Sequence, residues 1–233
     1  NMSYIREQID KISITDSRIL INGPSGSGKE LIARKIHKNS KRNNKPFIIL
    51  NGALLDTNKY ELELFGEEKN DGSISYGALE NASGGILLID EVTEIPLETQ
   101  SKILRVLIDQ KFKRINGNHN IKVNVRIICS TSKNVKKEIK DGNFREDLFH
   151  RLNVVPIELS PLTSRTDDIP ELINYFKKKI SDINGVQEIE INTKNDQLYT
   201  YNWPGNVREL RNLIERITIV SANESKENID KSI

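Results

Sequence analysis

The 233-residue sequence contains a single cysteine, Cys129, so it cannot form an intramolecular disulfide and is not a disulfide scaffold; a reducing compartment is expected. A strong net charge is also lacking. Thirty-five Lys+Arg against 33 Asp+Glu leave +2, which excludes a body that coats nucleic acid as a whole and confines any polyanion site to a local patch. The longest aliphatic run, Ile86–Ile89, is far short of the ~20 residues that span a bilayer. Asn1–Arg6 shows no basic segment followed by an apolar stretch, so no secretory leader is expected, and the expected compartment is the cytoplasm. His37, His119 and His150 are scattered without metal-ligand spacing, and neither a zinc cluster nor a Ser/His/Asp triad emerges. No internal repeat is present.

What is there reads as an α/β chain. A sequence of this length suits one large domain, or one with a smaller lobe, at about 150 residues per domain. It buries roughly 70–75% of its unfolded surface without cross-links. Short apolar runs at Arg18–Asn22, Phe47–Asn51, Ile86–Asp90, Val123–Ser130 and Val154–Leu159 predict strands, separated by segments long enough for crossover helices. Ile86–Asp90 is apolar on both faces, as a central parallel strand requires. Helices are predicted over Gly28–His37 and Pro96–Gln110, the latter with Leu97, Leu104, Leu107 and Ile108 on one face. After Pro161 the strand signals thin out. Ile169, Leu172, Ile173, Phe176 and Ile180, then Val207, Leu210, Leu213, Ile214, Ile217 and Val220, recur at helical spacing. The expected division is an α/β subdomain over 1–162 and a helical lobe over 163–233. Lys69–Ser75 and Ser221–Ile233 read as a loop and a polar tail, and Lys38–Lys45 as a solvated helix end.

The strongest local pattern is Gly23-Pro24-Ser25-Gly26-Ser27-Gly28-Lys29, between a strand and a helix. Glycines let backbone N–H groups curl around an anion, the helix N-terminus adds partial positive charge, and Lys29 can reach terminal phosphates. Glu30 stands where Ser or Thr commonly meets Mg²⁺. The second pattern is Ile86-Leu87-Leu88-Ile89-Asp90-Glu91, a buried strand delivering two carboxylates to the carboxyl edge of a sheet. An acidic strand end alone is a common cap or turn. Downstream of a phosphate loop it suits nucleotide chemistry, with Asp90 on Mg²⁺ and Glu91 orienting the attacking water.

With these motifs in order the chain resembles the central AAA+ domain of bacterial sigma-54-type enhancer-binding regulators. Ala33–His37, Pro46–Asn51, Glu63-Leu64-Phe65-Gly66, Gly84-Gly85, Phe144–Asn153 and Trp203–Leu210 follow the order of that family, in which Glu after the loop Lys is usual. The resemblance implies a P-loop AAA+ parallel sheet flanked by helices and followed by a small helical lid. ATP and Mg²⁺ are the implied ligands, and the implied assembly is a ring, commonly a hexamer. Asn51 would hydrogen-bond Glu91 and switch it between idle and water-facing positions. Arg145 and Arg151 would be fingers inserted into a neighbouring subunit's site. On the residues alone they are equally solvated charges beside Glu146 and Asp147. Arg208 would be the second sensor, touching nucleotide from the lid, and Thr131-Ser132 would stand in the place of the first sensor, usually Thr-Asn.

Two departures shape the expected function. The family's Gly-Ala-Phe-Thr-Gly-Ala contact loop is missing, and Glu67–Gly77 is about four residues shorter there. This loss, with the wording Pro96–Ile103, resembles the NtrX-like branch and argues against a direct sigma-54 contact. Ser132 lacks the amide of Asn, which weakens phosphate sensing. The expected function is therefore an ATP-hydrolysing, ring-forming domain of a two-component transcriptional regulator. Receiver and DNA-binding domains of that regulator, the latter its route to DNA, are expected outside this segment. The alternatives are a nucleotide-dependent oligomerisation module with little hydrolysis, and a sigma-54 activator with a degenerate loop.

Overall fold

The structure is a computed structural model and describes residues 2–53 and 57–220. The tail predicted over 221–233 lies outside the described residues. Those residues form two compact units. One holds the chain up to Gly23 together with Lys29–Glu158; the other holds Pro24–Gly28 and the chain from Leu159 onward.

In the first unit, β1 (Ile19–Asn22), β2 (Phe47–Asn51), β5 (Ile86–Asp90), β8 (Arg126–Thr131) and β9 (Val155–Glu158) pair in parallel in the order β2-β5-β8-β1-β9. The helices are α1 (Met2–Ser13), α2 (Lys29–Asn39), α3 (Thr57–Phe65), α4 (Ala78–Asn81), α5 (Leu97–Asp109), α6 (Val135–Lys140) and α7 (Glu146–Leu152). Two small hairpins complete it: β3 (Gly66–Glu68) with β4 (Ile74–Tyr76), and β6 (Lys111–Phe112) with β7 (Ile121–Lys122). Ile86, Leu87, Leu88 and Ile89 are fully buried, as a strand with pairing partners and packed layers on every side must be. Pro156 is tolerated in β9 because that strand lies at the sheet edge. A Cβ at Gly85 would stand 2.0 Å from the Pro46 carbonyl oxygen, so the glycine pair before β5 lets the strand close against β2.

The predicted strands all form, Phe47–Asn51 and Ile86–Asp90 with the expected bounds and the others with shifted ends. β8 begins at Arg126 rather than Val123, whose N–H goes to the Gln110 carbonyl instead. The predicted loop over Lys69–Ser75 is narrower, because its last residues enter β4. The helix α5 also differs in phase. Leu97 and Ile108 are exposed, and the buried face is Thr99, Gln100, Ile103, Val106 and Leu107. The reason is polar. Gln100 is fully buried because its Nε2 donates to the carbonyls of Ile95 and Asn143, at 2.8 and 3.0 Å, and its Oε1 accepts from the Arg145 N–H at 2.9 Å. Arg126 is a second buried polar tie. Its guanidinium donates to the carbonyls of Ile12 and Ser13 in the last turn of α1 and of Ser17 beyond it, and burial lowers its pKa.

In the second unit, α8 (Ile169–Asn184), α9 (Gln197–Thr200) and α10 (Asn206–Val220) enclose their own core. Ile169, Ile173, Phe176 and Ile180 meet Val207, Leu210, Ile214 and Ile217 there. Pro170 sits in the first turn of α8, and Gly185, at φ 64°, ends it. Trp203 is a packing residue whose indole N–H donates to the Leu198 carbonyl.

Two outcomes follow from this packing. Gln100→Leu keeps the volume but strands two carbonyls and one N–H, so it should lower stability by about 2–4 kcal/mol in urea unfolding. An unchanged midpoint would show that water replaces the amide. Cys129 is fully buried and its thiol pKa is raised by burial, so a thiol reagent should label it only as the chain unfolds.

Candidate functional site

The parallel register brings the carboxyl ends of four strands to one edge of the sheet. Asn51 pairs with Asp90 between β2 and β5, and Asn22 with Thr131 between β1 and β8. In open α/β sheets this edge is where ligands bind. The Gly23 N–H donates to the Thr131 carbonyl at 3.2 Å, which fixes the point where the chain leaves β1.

Lys29 opens α2. It is nearly buried, and its Nζ donates to the Gly23 carbonyl at 2.9 Å and lies 3.2 Å from Glu91 Oε1. Glu91 follows β5 with a left-handed backbone, φ 53° and ψ 54°, a conformation that costs a non-glycine residue about 1–3 kcal/mol and concentrates at functional sites. Its other oxygen, Oε2, accepts from the Ser132 N–H and hydroxyl, both at 2.8 Å. Asp90 accepts from Asn51 Nδ2 at 3.2 Å and from the Ser130 hydroxyl. Thr131 Oγ1 lies 2.7 Å from Thr93 Oγ1, a hydroxyl pair that ties the end of β8 to the turn after Glu91.

Lys29, Asn51, Asp90, Glu91, Thr131 and Ser132 are thus brought together. One expected contact is corrected. The Asn51 amide goes to Asp90, not Glu91, and its Oδ1 accepts from the Ala53 N–H, so both ends of that side chain are committed elsewhere. Glu30 faces outward in an ion pair with Arg34 at 2.7 Å, which is the ordinary fate of an i, i+4 acid and base on a helix surface.

In the second unit, the loop Pro24–Gly28 is held by three residues of that unit. Asn206 Nδ2 donates to the Ser25 carbonyl at 2.9 Å, Arg165 donates to the Ser27 carbonyl at 2.8 Å, and the Arg208 N–H donates to the Gly26 carbonyl. The Arg208 guanidinium reaches Ser25 Oγ at 3.3 Å. Gly26, at φ +74°, has no room for a Cβ, which would fall 2.1 Å from the Gly205 carbonyl oxygen. With the carbonyls of Ser25, Gly26 and Ser27 engaged this way and the Ser27 N–H spent on the Pro24 carbonyl, the N–H groups of Ser25, Gly26 and Gly28 are left for an anion among the described residues. Ser27 Oγ supports that reading. It is buried without a hydrogen-bond partner among the described residues, so a phosphate oxygen would satisfy it.

Arg145 and Arg151 stand apart from these groups. Arg145 grips the Asp147 carboxylate with Nε and Nη2, at 3.0 and 2.7 Å, and donates to Ser101 Oγ; this contact lowers the Asp147 pKa and raises that of Arg145. Arg151 is exposed on α7 and makes no ion pair among the described residues. Sequence reasoning missed Ser130, Thr93, Gln100, Arg165 and Asn206. Of these only Asn206 left a signal, an Asn after Gly at a helix start, where a positive φ of 53° is tolerated.

A divalent cation fits modestly. Among the described residues no cluster of three or more His, Cys, Asp or Glu could enclose one. Asp90 nevertheless offers a hard oxygen donor, and Mg²⁺ is commonly held by one or two carboxylates with phosphate and water.

Comparison with known proteins agrees with this geometry. The sigma-54 interaction domain family matches residues 1–158, and an AAA+ ATPase lid domain matches residues 163–231. The nitrogen assimilation regulatory protein NtrX of Azorhizobium caulinodans is 45% identical over 100% of this chain and 52% of its own length. The DNA-binding transcriptional regulator NtrC of Salmonella typhimurium is 42% identical over 93% of this chain and 47% of its own. The crystal structure of Brucella abortus NtrX in complex with ATP superposes with a TM-score of 0.90 at 47% identity, covering 97% of this chain and 52% of that one. The chain therefore spans about half the length of the curated relatives it matches. The family match over residues 1–158, the lid match over 163–231 and relatives above 40% identity across more than nine-tenths of the chain place it in the sigma-54 interaction domain family of AAA+ proteins.

Proposed function

We propose that this segment binds Mg-ATP and hydrolyses it as the central AAA+ domain of an NtrX-like two-component transcriptional regulator. The observation that carries the reading is the Lys29–Glu91 pair at the sheet edge. A buried ammonium needs an anion, and its anionic partner here is a carboxylate on a strained backbone, at a lysine that follows a Gly-rich loop in the sequence. An ATP-bound solved relative of the same fold supports it.

In this reading residues 1–162 form the ATPase subdomain and 163–233 its lid. Ser25, Gly26 and Gly28 would offer backbone N–H groups to phosphate, Ser27 its hydroxyl and Lys29 its cation, while Gly23 and Pro24 shape the entry to the loop. Asp90 would hold Mg²⁺, with Glu30 outside its reach because Arg34 occupies it. When bound, Mg²⁺ supplies charge neutralisation on the phosphates. Glu91 accepts a proton from, and orients, the attacking water. Asn51 and Ser130 hold Asp90 in place, Thr131 and Ser132 border the terminal phosphate, and Arg208 acts on the loop it touches. Arg145 and Arg151 complete a neighbouring subunit's site, so the active form is a ring, commonly a hexamer. Receiver and DNA-binding domains on the longer polypeptide supply phosphorylation input and DNA contact, in the cytoplasm. Coupling runs without a direct sigma-54 contact, because Glu67–Gly77 carries only the short β3–β4 hairpin.

Three outcomes test this. Lys29→Ala should abolish binding of a fluorescent ADP analogue. Glu91→Gln should bind it normally and lose at least about 100-fold in turnover, as removal of a general base does. Binding with no turnover above the Glu91→Gln blank, at concentrations that form oligomers, would leave the oligomerisation module as the correct reading. Arg145→Ala mixed with Glu91→Gln should regain part of the parent rate; a mixture that assembles yet stays silent would show that the fingers do not act between subunits.

A further inference from the structure

Among the described residues Glu91 makes three polar contacts through its carboxylate, and they are not equivalent. Oε1 faces the Lys29 ammonium at 3.2 Å, while Oε2 receives the N–H and the hydroxyl of one residue, Ser132, both at 2.8 Å. Lys29 is the group that phosphate competes for. A nucleotide that engages Lys29 takes the cation from Oε1 and leaves the carboxylate with what remains. What remains in hydrogen-bond contact is Ser132, while the Lys133 ammonium acts on the carboxylate only at longer range and pairs with Glu94 at 3.0 Å. Asn51, the residue expected to hold Glu91, is committed at both ends, to Asp90 and to the Ala53 N–H.

The position of Ser132 is itself braced. Thr131 Oγ1 pairs with Thr93 Oγ1 at 2.7 Å and accepts from the Lys133 N–H at 3.1 Å, so the residues on both sides of Ser132 are fixed. The same threonine pair links this corner to the turn that starts at Glu91. A carboxylate on a strained left-handed backbone is thereby gripped from the neighbouring strand by two donors in a fixed fork.

From this geometry we infer that Ser132 is the positioning residue for Glu91. Its hydroxyl and N–H hold Oε2 so that Oε1 stays aimed into the site once Lys29 turns to phosphate. Ser132 therefore works through the carboxylate and not as a contact to the nucleotide. In this role the short side chain is an advantage: its hydroxyl and its own N–H reach a single oxygen together. The inference rests on the proposed hydrolysis and deepens it.

The test is Ser132→Ala and Ser132→Thr in the 233-residue chain, each measured for steady-state ATP turnover and for the dissociation constant of a non-hydrolysable ATP analogue, beside the parent and Glu91→Gln. Ser132 is exposed at a strand end, so neither change removes a packed group. The expected result for Ser132→Ala is a kcat lower by about tenfold, as a slightly misplaced base gives, with KM and analogue affinity within about twofold of the parent. Threonine, which keeps the hydroxyl, should restore most of the rate. An affinity that weakens in step with kcat would make Ser132 a phosphate contact and overturn the inference. So would an alanine variant as fast as the parent, or a threonine variant as slow as alanine. A parent no faster than Glu91→Gln would overturn the hydrolysis reading, and this role with it, a failure distinguished by the blank.

Discussion

The nearly buried ammonium of Lys29 is the constraint around which the site is arranged. Desolvating a cation is expensive unless a carbonyl or an anion stands close, and a charge left without one costs several kcal/mol, of the order of 3–5. Gly23 and Glu91 meet that need in the free chain. The same need explains why a polyphosphate belongs there, since it offers the cation a stronger partner and returns the carboxylate to other work. The Lys29–Glu91 pair is thus a lock on the resting state and a measure of what a ligand must displace.

Everything that makes this pair possible comes from the sheet. Lys29 starts the helix that follows β1, and Glu91 follows the strand two places away, with β8 between them ending at Thr131, next to Ser132. The strand order is what brings together residues separated by 62 and 41 positions in the sequence. A crossover that placed β5 at the edge would keep both motifs and lose the contact. The four buried residues of Ile86–Ile89 are therefore part of the chemistry, because the strand they anchor sets where the two acids emerge.

How much of this was legible follows from the kind of signal each residue leaves. The strands were visible as apolar runs, and the lid helices as a 3.6-residue rhythm that the buried faces of α8 and α10 reproduce. The phase of α5 was not, because Thr99 and Gln100 are buried polar residues and a hydrophobic pattern skips them. Nor was the partner of Asn51. Position at a strand end shows that an amide faces the site, yet which carboxylate it chooses depends on side-chain geometry between strands that are not adjacent in sequence. Ser132 was read as a loss relative to Asn. In the fold its small size is what lets hydroxyl and N–H share one oxygen.

The same logic applies to Arg145, which caps the start of α7, and Arg151, which lies in its last turn, in different states. Arg145 is held twice by Asp147 and once by Ser101, and its backbone N–H is anchored by Gln100, so its starting point is fixed while its guanidinium is occupied. Arg151, one helical turn or more further on, has no acidic partner among the described residues. A guanidinium released from an exposed carboxylate gives up little, since such pairs are worth about 0–1 kcal/mol in water. Under the proposed shared site, then, Arg145 would exchange Asp147 for phosphate at small cost, and its aim would depend on the buried amide of Gln100. In that case the residue that hydrophobic periodicity overlooks sets where the finger points.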